Sequence, residues 1–327
     1  MGIGASAPVN PEGLGNAIYD QNDDQQIISA SVYSLKGCKA VNQDSAVLCQ
    51  GYGSEDGVLC GVFDGHGKNG HIVSRIVSRR LPLRLLDKKN AVSEVNENHS
   101  GIQSTQDESD SSSTKNQLKE WEEACLKAFP ELDEELKKVQ RVDFKFSGTT
   151  AVVALKQGDD LLIANLGDSR AILGTKSDDG GLTAVQLTID LKPGTPDEAL
   201  RIRSSNGRVF ALRDEPGAPR AWLPRVYSPG MAMSRCFGDF VMKNYGIISD
   251  PVITHHHITS HDQFILLATD GIWDVLSNEE VVSIVKNVEH EKMAAKAVVD
   301  AAVASWKKNF SQKIDDCTAI CYFLQKN

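Results

Sequence analysis

The sequence predicts an α+β fold in which helices cover antiparallel β-sheets, and three observations lead there. Short apolar runs joined by Gly and Asp turns fill the middle of the chain, as in TTAVVALKQGDDLLIANLGDSRAILGT. Joints this short admit only antiparallel neighbours, because a parallel pair needs a crossover of about a dozen residues or more. Apolar residues at helical spacing precede these runs, at Leu118, Trp121, Cys125, Phe129, Leu132 and Leu136, and two more helical stretches precede a final apolar run, CTAICYFL. Helices grouped before and after strand meanders distinguish α+β from alternating α/β proteins.

Taken in order, residues 1–26 are rich in Gly, Pro, Asn, Asp and Gln and read as a flexible lead-in. A single domain then spans 27–327. IISASVYSLKG, SAVLCQGY and GVLCGVF are short alternating or fully apolar runs bounded by turn residues, the strand signal. A helix is expected from about Gly70 to Leu86. Residues 90–116 turn to Ser, Asn, Gln and acids, which predicts an unstructured insertion; doubling a loop costs only about 0.6 kcal/mol. The next helix covers roughly 116–138, with Pro130 expected to kink it. After the central strands, Thr195-Pro196-Asp197-Glu198 predicts a capping box with proline at the first helical position, and Asn206-Gly207 a stop. A proline-punctuated loop follows around 213–229. The strand FILLATD, helices at 278–286 and 291–307, and the terminal strand complete the chain.

Of the formal net charge of -9, the segment 91–140 carries -7, from 12 acids against 5 lysines. The acidity belongs to one segment, and no basic stripe suits nucleic acid, whose binding rests on Lys and Arg at phosphates. The seven cysteines form no C-x-x-C pair and several lie inside apolar runs, which fits a reduced compartment, cytoplasm or nucleus. No apolar stretch approaches the roughly 20 residues that span a bilayer. The opening MGIGAS matches the pattern for myristoylation at Gly2, a single anchor that would give only weak peripheral attachment to the plasma membrane.

Four aspartates flank apolar runs and adjoin turns: Asp64 in VFDGHG, Asp168 in NLGDSR, Asp270 in LLATDG and Asp316 in IDDCTA. The pattern delivers carboxylates to one edge of the strands. Two unit charges about 4 Å apart repel by roughly 4 kcal/mol at an effective dielectric near 20, so such a cluster calls for a cation. Oxygen-only ligation selects Mg²⁺ or Mn²⁺ over zinc. Competing chemistries fail on the residues. Gly65-His66-Gly67-Lys68-Asn69-Gly70 matches a dinucleotide fingerprint, but Asp64 would repel a pyrophosphate and the hairpins deny a parallel sheet. No cysteine has Arg six positions on to cradle a phosphate, and no G-x-S-x-G or H-E-x-x-H occurs.

The ordered motifs KAVNQD, VFDGHG, SGTTA, GDSRA, DLKP with PDEALRI, AMSRCFGD, ATDGIWDVLSNEE and DDCTAI resemble those of the protein phosphatase 2C family, in a plant-type form, over about residues 28–325. The resemblance implies a central β-sandwich flanked by helices on both sides. It implies two Mg²⁺ or Mn²⁺ ions and a weaker third: Asp64 bridging the pair, the Gly65 carbonyl on one, Asp270 and Asp316 on the other. Asp44 is then reached through water, and Asp168 and Asp274 serve the third. The implied activity is hydrolysis of phosphoserine and phosphothreonine in protein substrates by a hydroxide shared by two metals. The leaving alkoxide needs a proton, and His66 is the candidate general acid.

Two positions depart from the family pattern. Lys39 stands where Arg commonly holds the phosphate, which keeps the charge but loses the bidentate fork. Gln43 replaces a frequent Glu. These departures motivate one alternative, a catalytically silent binding module on the same fold; a two-metal nuclease is disfavoured by the missing basic surface. His255-His256-His257 alternates along a strand and reads as a strand end rather than a metal cluster. Arg170 and Arg235 are expected to brace loops through salt bridges, and Trp222 either contacts substrate or packs the 213–229 loop. The protein is expected to be a monomer.

Overall fold

The computed structural model of the protein describes residues 17–20, 30–100, 110–140, 142–310 and 313–325. In chain order its strands are β1 (Ala17–Asp20), β2 (Ala30–Leu35), β3 (Ser45–Gln50), β4 (Val58–Phe63), β5 (Gly65–Gly67), β6 (Ser147–Thr149), β7 (Ala151–Gln157), β8 (Asp160–Leu166), β9 (Arg170–Lys176), β10 (Leu182–Gln186), β11 (Arg208–Phe210), β12 (Arg220–Trp222), β13 (Phe237–Gly238), β14 (Val252–His257), β15 (Asp262–Ala268) and β16 (Cys317–Phe323). The helices are α1 (Gly70–Ser100), α2 (Asp110–Leu136), α3 (Pro196–Ser204), α4 (Phe240–Lys243), α5 (Asp270–Trp273), α6 (Asn278–Lys286) and α7 (Ala294–Asn309), with one 3₁₀ turn at Glu291–Met293.

Two sheets stack face to face, ordered β1-β3-β4-β7-β8-β14 and β10-β9-β15-β16-β2. All pairings within them are antiparallel except β1 with β3. Strand alternation explains the fully apolar runs. In β4, Val58, Cys60 and Val62 enter the core between the sheets, while Leu59 and Phe63 meet α1 and α2. In β15, Ile265 and Leu267 face the other sheet, while Phe264, Leu266 and Ala268 meet α6 and α7. A strand covered on both faces has no polar side to show, so period-2 hydropathy disappears from its sequence. The result is the expected sandwich with a helical layer on each side.

The helices differ from expectation in three places. α1 does not stop near Leu86 but runs to Ser100, and α2 begins at Asp110, so both flanks of the supposed unstructured insertion are helical and only 101–109 lie outside the described residues. The reason is tertiary. Val92 is buried, Lys88 pairs with Glu131, and Ser93 Oγ donates to Glu120 Oε2 at 2.6 Å, so a polar stretch is held helical against α2. α2 continues through Pro130. Thr195 precedes α3 with Pro196 at its first position, yet its side chain makes no capping bond; Glu198 points into the protein instead. A capping box does form at Ser277, where Glu280 N–H donates to Ser277 Oγ at 3.3 Å and Ser277 N–H donates to Glu280 Oε2 at 2.8 Å. In the lead-in, the strand β1 lies along β3; Gly2 falls outside the described residues. Among the described residues no helix is long and apolar enough to cross a membrane.

Candidate metal centre

Strand register brings the acids together. β4 ends at Phe63 opposite Ser45, β8 ends at Leu166 opposite Ala151, and Ala268 at the end of β15 lies opposite both Arg170 and Ala319. Asp44, Asp64, Asp168, Asp270, Asp315 and Asp316 therefore lie at one end of the sandwich, with Asp274 one helical turn beyond Asp270. A bond between the sheets fixes this end: Thr269 Oγ1 donates to Asp44 Oδ2 at 2.8 Å.

Mutual repulsion and burial mark the group. Burial, then the charges of Asp270, Asp44 and Asp315, raise the Asp64 carboxyl well above the ordinary range. Asp270 is raised by burial and by Asp168 and Asp315, and it hydrogen-bonds to Asp64. Burial pushes Asp44 up to about 7, helped by the Asp316 charge. Asp274 is raised by burial, with Asp168 and Asp315 adding to it against Lys192. Asp168 is 1% exposed, and neither of its carboxylate oxygens accepts a hydrogen bond; among the described residues its cationic neighbour is Lys192, with Nζ at 3.4 Å.

These donors fit a hard divalent cation. They are oxygens, and the buried Asp168 carboxylate lacks the hydrogen bonds a structural acid would have. Gly65 is required beside them: a Cβ there would lie 2.4 Å from the Gln43 carbonyl oxygen and 2.5 Å from that of Gly70. No three of these aspartates have oxygens mutually within 4.8 Å, so they cannot form one tight cage; that spacing suits ions that retain several waters.

Asp316 has a structural task that the sequence did not show. Both of its oxygens accept backbone bonds, from Gly37 N–H at 2.8 Å and Gln43 N–H at 2.9 Å, so it is the anchor of the 37–43 loop. The neighbouring Asp315 is the acid whose charge reaches Asp64, Asp270 and Asp274. Period-2 alternation separates the two side chains, but motif spacing alone did not say which one faces the cluster. Lys39 Nζ lies 2.6 Å from Asp315 Oδ1 and 3.7 Å from Asp316 Oδ2. Burial would lower its ammonium, but Asp64, Asp315 and Asp316 outweigh that and hold it above the ordinary lysine value. Lys192 in DLKP, which the sequence reading passed over, is held charged against its burial by Asp168, Asp274 and Asp270.

His66 stands in β5, the edge of a small sheet ordered β13-β6-β5. Its Nε2 meets Asp239 Oδ2 at 2.5 Å, and its Nδ1 is buried without a hydrogen bond. Gly148 of β6 makes that contact possible, since a Cβ there would fall 2.2 Å from Asp239 Oδ2 and 2.8 Å from His66 Nε2. Asp239, another residue missed from sequence, is 1% exposed and holds a left-handed φ of 49°. The remaining expectations resolve simply. His255, His256 and His257 each take a different acid, Glu122, Asp262 and Asp160. Arg170 forks onto Asp190, Arg235 pairs with Glu198, and Trp222 stacks on Phe210 at 5.2 Å, packing the β11–β12 hairpin.

A helix-flanked sandwich that gathers more buried carboxylates at one end than Lys39 and Lys192 can balance fits a metal-dependent enzyme. The protein phosphatase 2C family model matches residues 30–309, and the chain belongs to that family. It is 53% identical over 297 residues to "Probable protein phosphatase 2C 72" of Arabidopsis thaliana, covering 90% of this chain and 85% of the relative. It is 50% identical over 314 residues to "Probable protein phosphatase 2C 12" of Oryza sativa subsp. japonica, covering 90% and 81%. Its fold resembles the serine-threonine phosphatase 2C of Toxoplasma gondii, with a TM-score of 0.78, 26% identity, and coverage of 90% of this chain and 94% of that one. The protein is thus a metal-dependent Ser/Thr protein phosphatase acting on phosphoproteins.

Proposed function

We propose that the carboxylate end works as a two-ion Mg²⁺ or Mn²⁺ centre, with a weaker third ion beside it. In this reading Asp64, the Gly65 carbonyl, Asp270 and Asp315 would hold the two principal ions, together with water. Asp44 acts through water, and Asp168 with Asp274 serves the third. When bound, the ions lower the pKa of a shared water and neutralise the phosphoryl oxygens. Lys39 brings a held positive charge to the edge of the site and draws the substrate phosphate, without the planar fork that arginine would give. His66 donates the proton that the serine or threonine alkoxide requires, and Asp239 keeps its ring in place. A monomer in the cytoplasm or nucleus, attached weakly to the plasma membrane if Gly2 is acylated, completes the proposal.

The observation that carries this reading is the set of mutually repelling acids at one strand end, raised by burial and by each other and lacking an arginine partner. The test is phosphate release from a phosphothreonine peptide. Turnover is expected with Mn²⁺, none with EDTA, and little in Asp64→Asn. Full activity in Asp64→Asn or in EDTA would overturn the centre.

A further inference from the structure

The three side chains His66, Cys236 and Asp239 converge at a point whose donor chemistry differs from that of the aspartates. Asp239 Oδ2 lies 2.5 Å from His66 Nε2 and 3.4 Å from Cys236 Sγ, and all three donor atoms fall within 4.8 Å of one another. Cys236 and Asp239 are 0% and 1% exposed, while His66 is partly open, which gives a path in. We propose that these three residues form a second metal site, one that takes zinc.

Nitrogen, thiolate sulfur and a single carboxylate oxygen are the donor set that borderline-soft Zn²⁺ prefers and that hard Mg²⁺ and Mn²⁺ do not. With bonds of about 2.0–2.3 Å, tetrahedral zinc sets its ligand atoms roughly 3.3–3.7 Å apart. The Sγ to Oδ2 separation already matches. His66 and Asp239 need to part by about 1 Å, as a metal ion takes the place of the hydrogen bond between them. Binding releases the Cys236 thiol proton and the proton of that bond to solvent. Zn²⁺ with one thiolate and one carboxylate is neutral, so the buried site gains no net charge, and the fourth position is left to water.

The segment that carries two of the ligands is already fixed. Arg235, beside Cys236, forks onto Glu198, Lys243 Nζ donates to the Cys236 carbonyl at 2.5 Å, and Gly238 N–H donates to Asp133 Oδ1 at 2.7 Å. The site stands on its own residues; only its consequence rests on the phosphatase reading. Zinc on His66 Nε2 would occupy the ring proposed to protonate the leaving group, so it would restrain turnover while leaving the Mn²⁺ centre filled.

The test uses the Mn²⁺-saturated full chain and reads metal binding, not turnover. Zn²⁺ titrated against a chromophoric zinc indicator should show one tight equivalent. Cys236→Ser should weaken it more than about 100-fold, beyond the loss expected for an outer partner of a ligand, while Cys38→Ser at an exposed cysteine should leave it unchanged. Co²⁺ in wild type should add a thiolate-to-cobalt charge-transfer band, which needs no variant to fold. Asp64→Asn, which breaks the proposed phosphatase centre, should keep both signals, so failure of one reading is separable from failure of the other. Equal zinc affinity in Cys236→Ser, or no thiolate band, overturns the site.

Discussion

Glu198 and Asp64 are both buried acids, and they sit in opposite electrostatic settings. Glu198 is forked by Arg201 at 2.6 and 2.7 Å, meets Arg235 at 2.7 Å and accepts from Ser234 Oγ; these bonds outweigh its burial and pull its carboxyl down to about 2. Asp64 has Asp270, Asp44 and Asp315 for neighbours and is driven up. One acid has its countercharge built into the fold. The other faces more acids than Lys39 balances, so the rest of its countercharge must come from outside, and that difference separates a brace from a binding centre.

Neutralising each acid should therefore have opposite effects. Asp64→Asn and Asp315→Asn are expected to lower Mn²⁺-dependent turnover at least about 100-fold, more than removing an outer partner of a ligand costs. Asp316→Asn should act through the 37–43 loop and lower stability with a smaller effect on Mn²⁺ affinity. Steady-state kinetics with an Mn²⁺ titration distinguishes these cases. Glu198→Gln should leave Mn²⁺ binding intact and destabilise by about 3–5 kcal/mol, because two arginines lose their buried partner. Chemical denaturation measures that loss.

Acid and base limits sharpen the same contrast. The Glu198 value is depressed, so its contribution is fully present above about 4.5 and is lost as pH falls through about 2, worth roughly 3 kcal/mol. The raised values of Asp64, Asp270 and Asp44 act in reverse. The metal-free fold loses stability as pH rises through them, around 7 for Asp44, because more negative charge appears than Lys39 and Lys192 balance. Mn²⁺ should accordingly raise the melting temperature more above about pH 7 than below it. Thermal scans with Mn²⁺ and with EDTA across that range give the answer.

The smallest expected effects lie at helix starts. Ser277→Ala should cost about 1 kcal/mol through its lost capping box, whereas Thr195→Ala should cost a few tenths at most, since no capping bond exists there. Paired denaturation curves for the two variants measure this difference.

What sequence could and could not show follows the same division. Apolar runs such as FILLATD specify strands covered on both faces, and Asp64, Asp168 and Asp270 were legible because each terminates such a run. The choice between Asp315 and Asp316 was not, since it depends on which face of β16 the 37–43 backbone approaches. The turns of α1 beyond Leu86 were hidden because their polar residues are satisfied by α2, a tertiary partner that composition does not register. Thr195-Pro196-Asp197-Glu198 has the letters of a capping box, but Arg201 one helical turn on and the remote Arg235 claim the glutamate.

The most direct measurement is the melting temperature of wild type and Asp64→Asn, each in EDTA and in Mn²⁺. In EDTA, at a pH high enough to ionise the raised Asp64 carboxyl, the variant should melt above wild type, because one of the mutually repelling buried charges is gone; Mn²⁺ should then raise wild type strongly and the variant little. A variant that melts below wild type in EDTA, and that Mn²⁺ stabilises equally, would contradict a centre whose missing charge is supplied by metal.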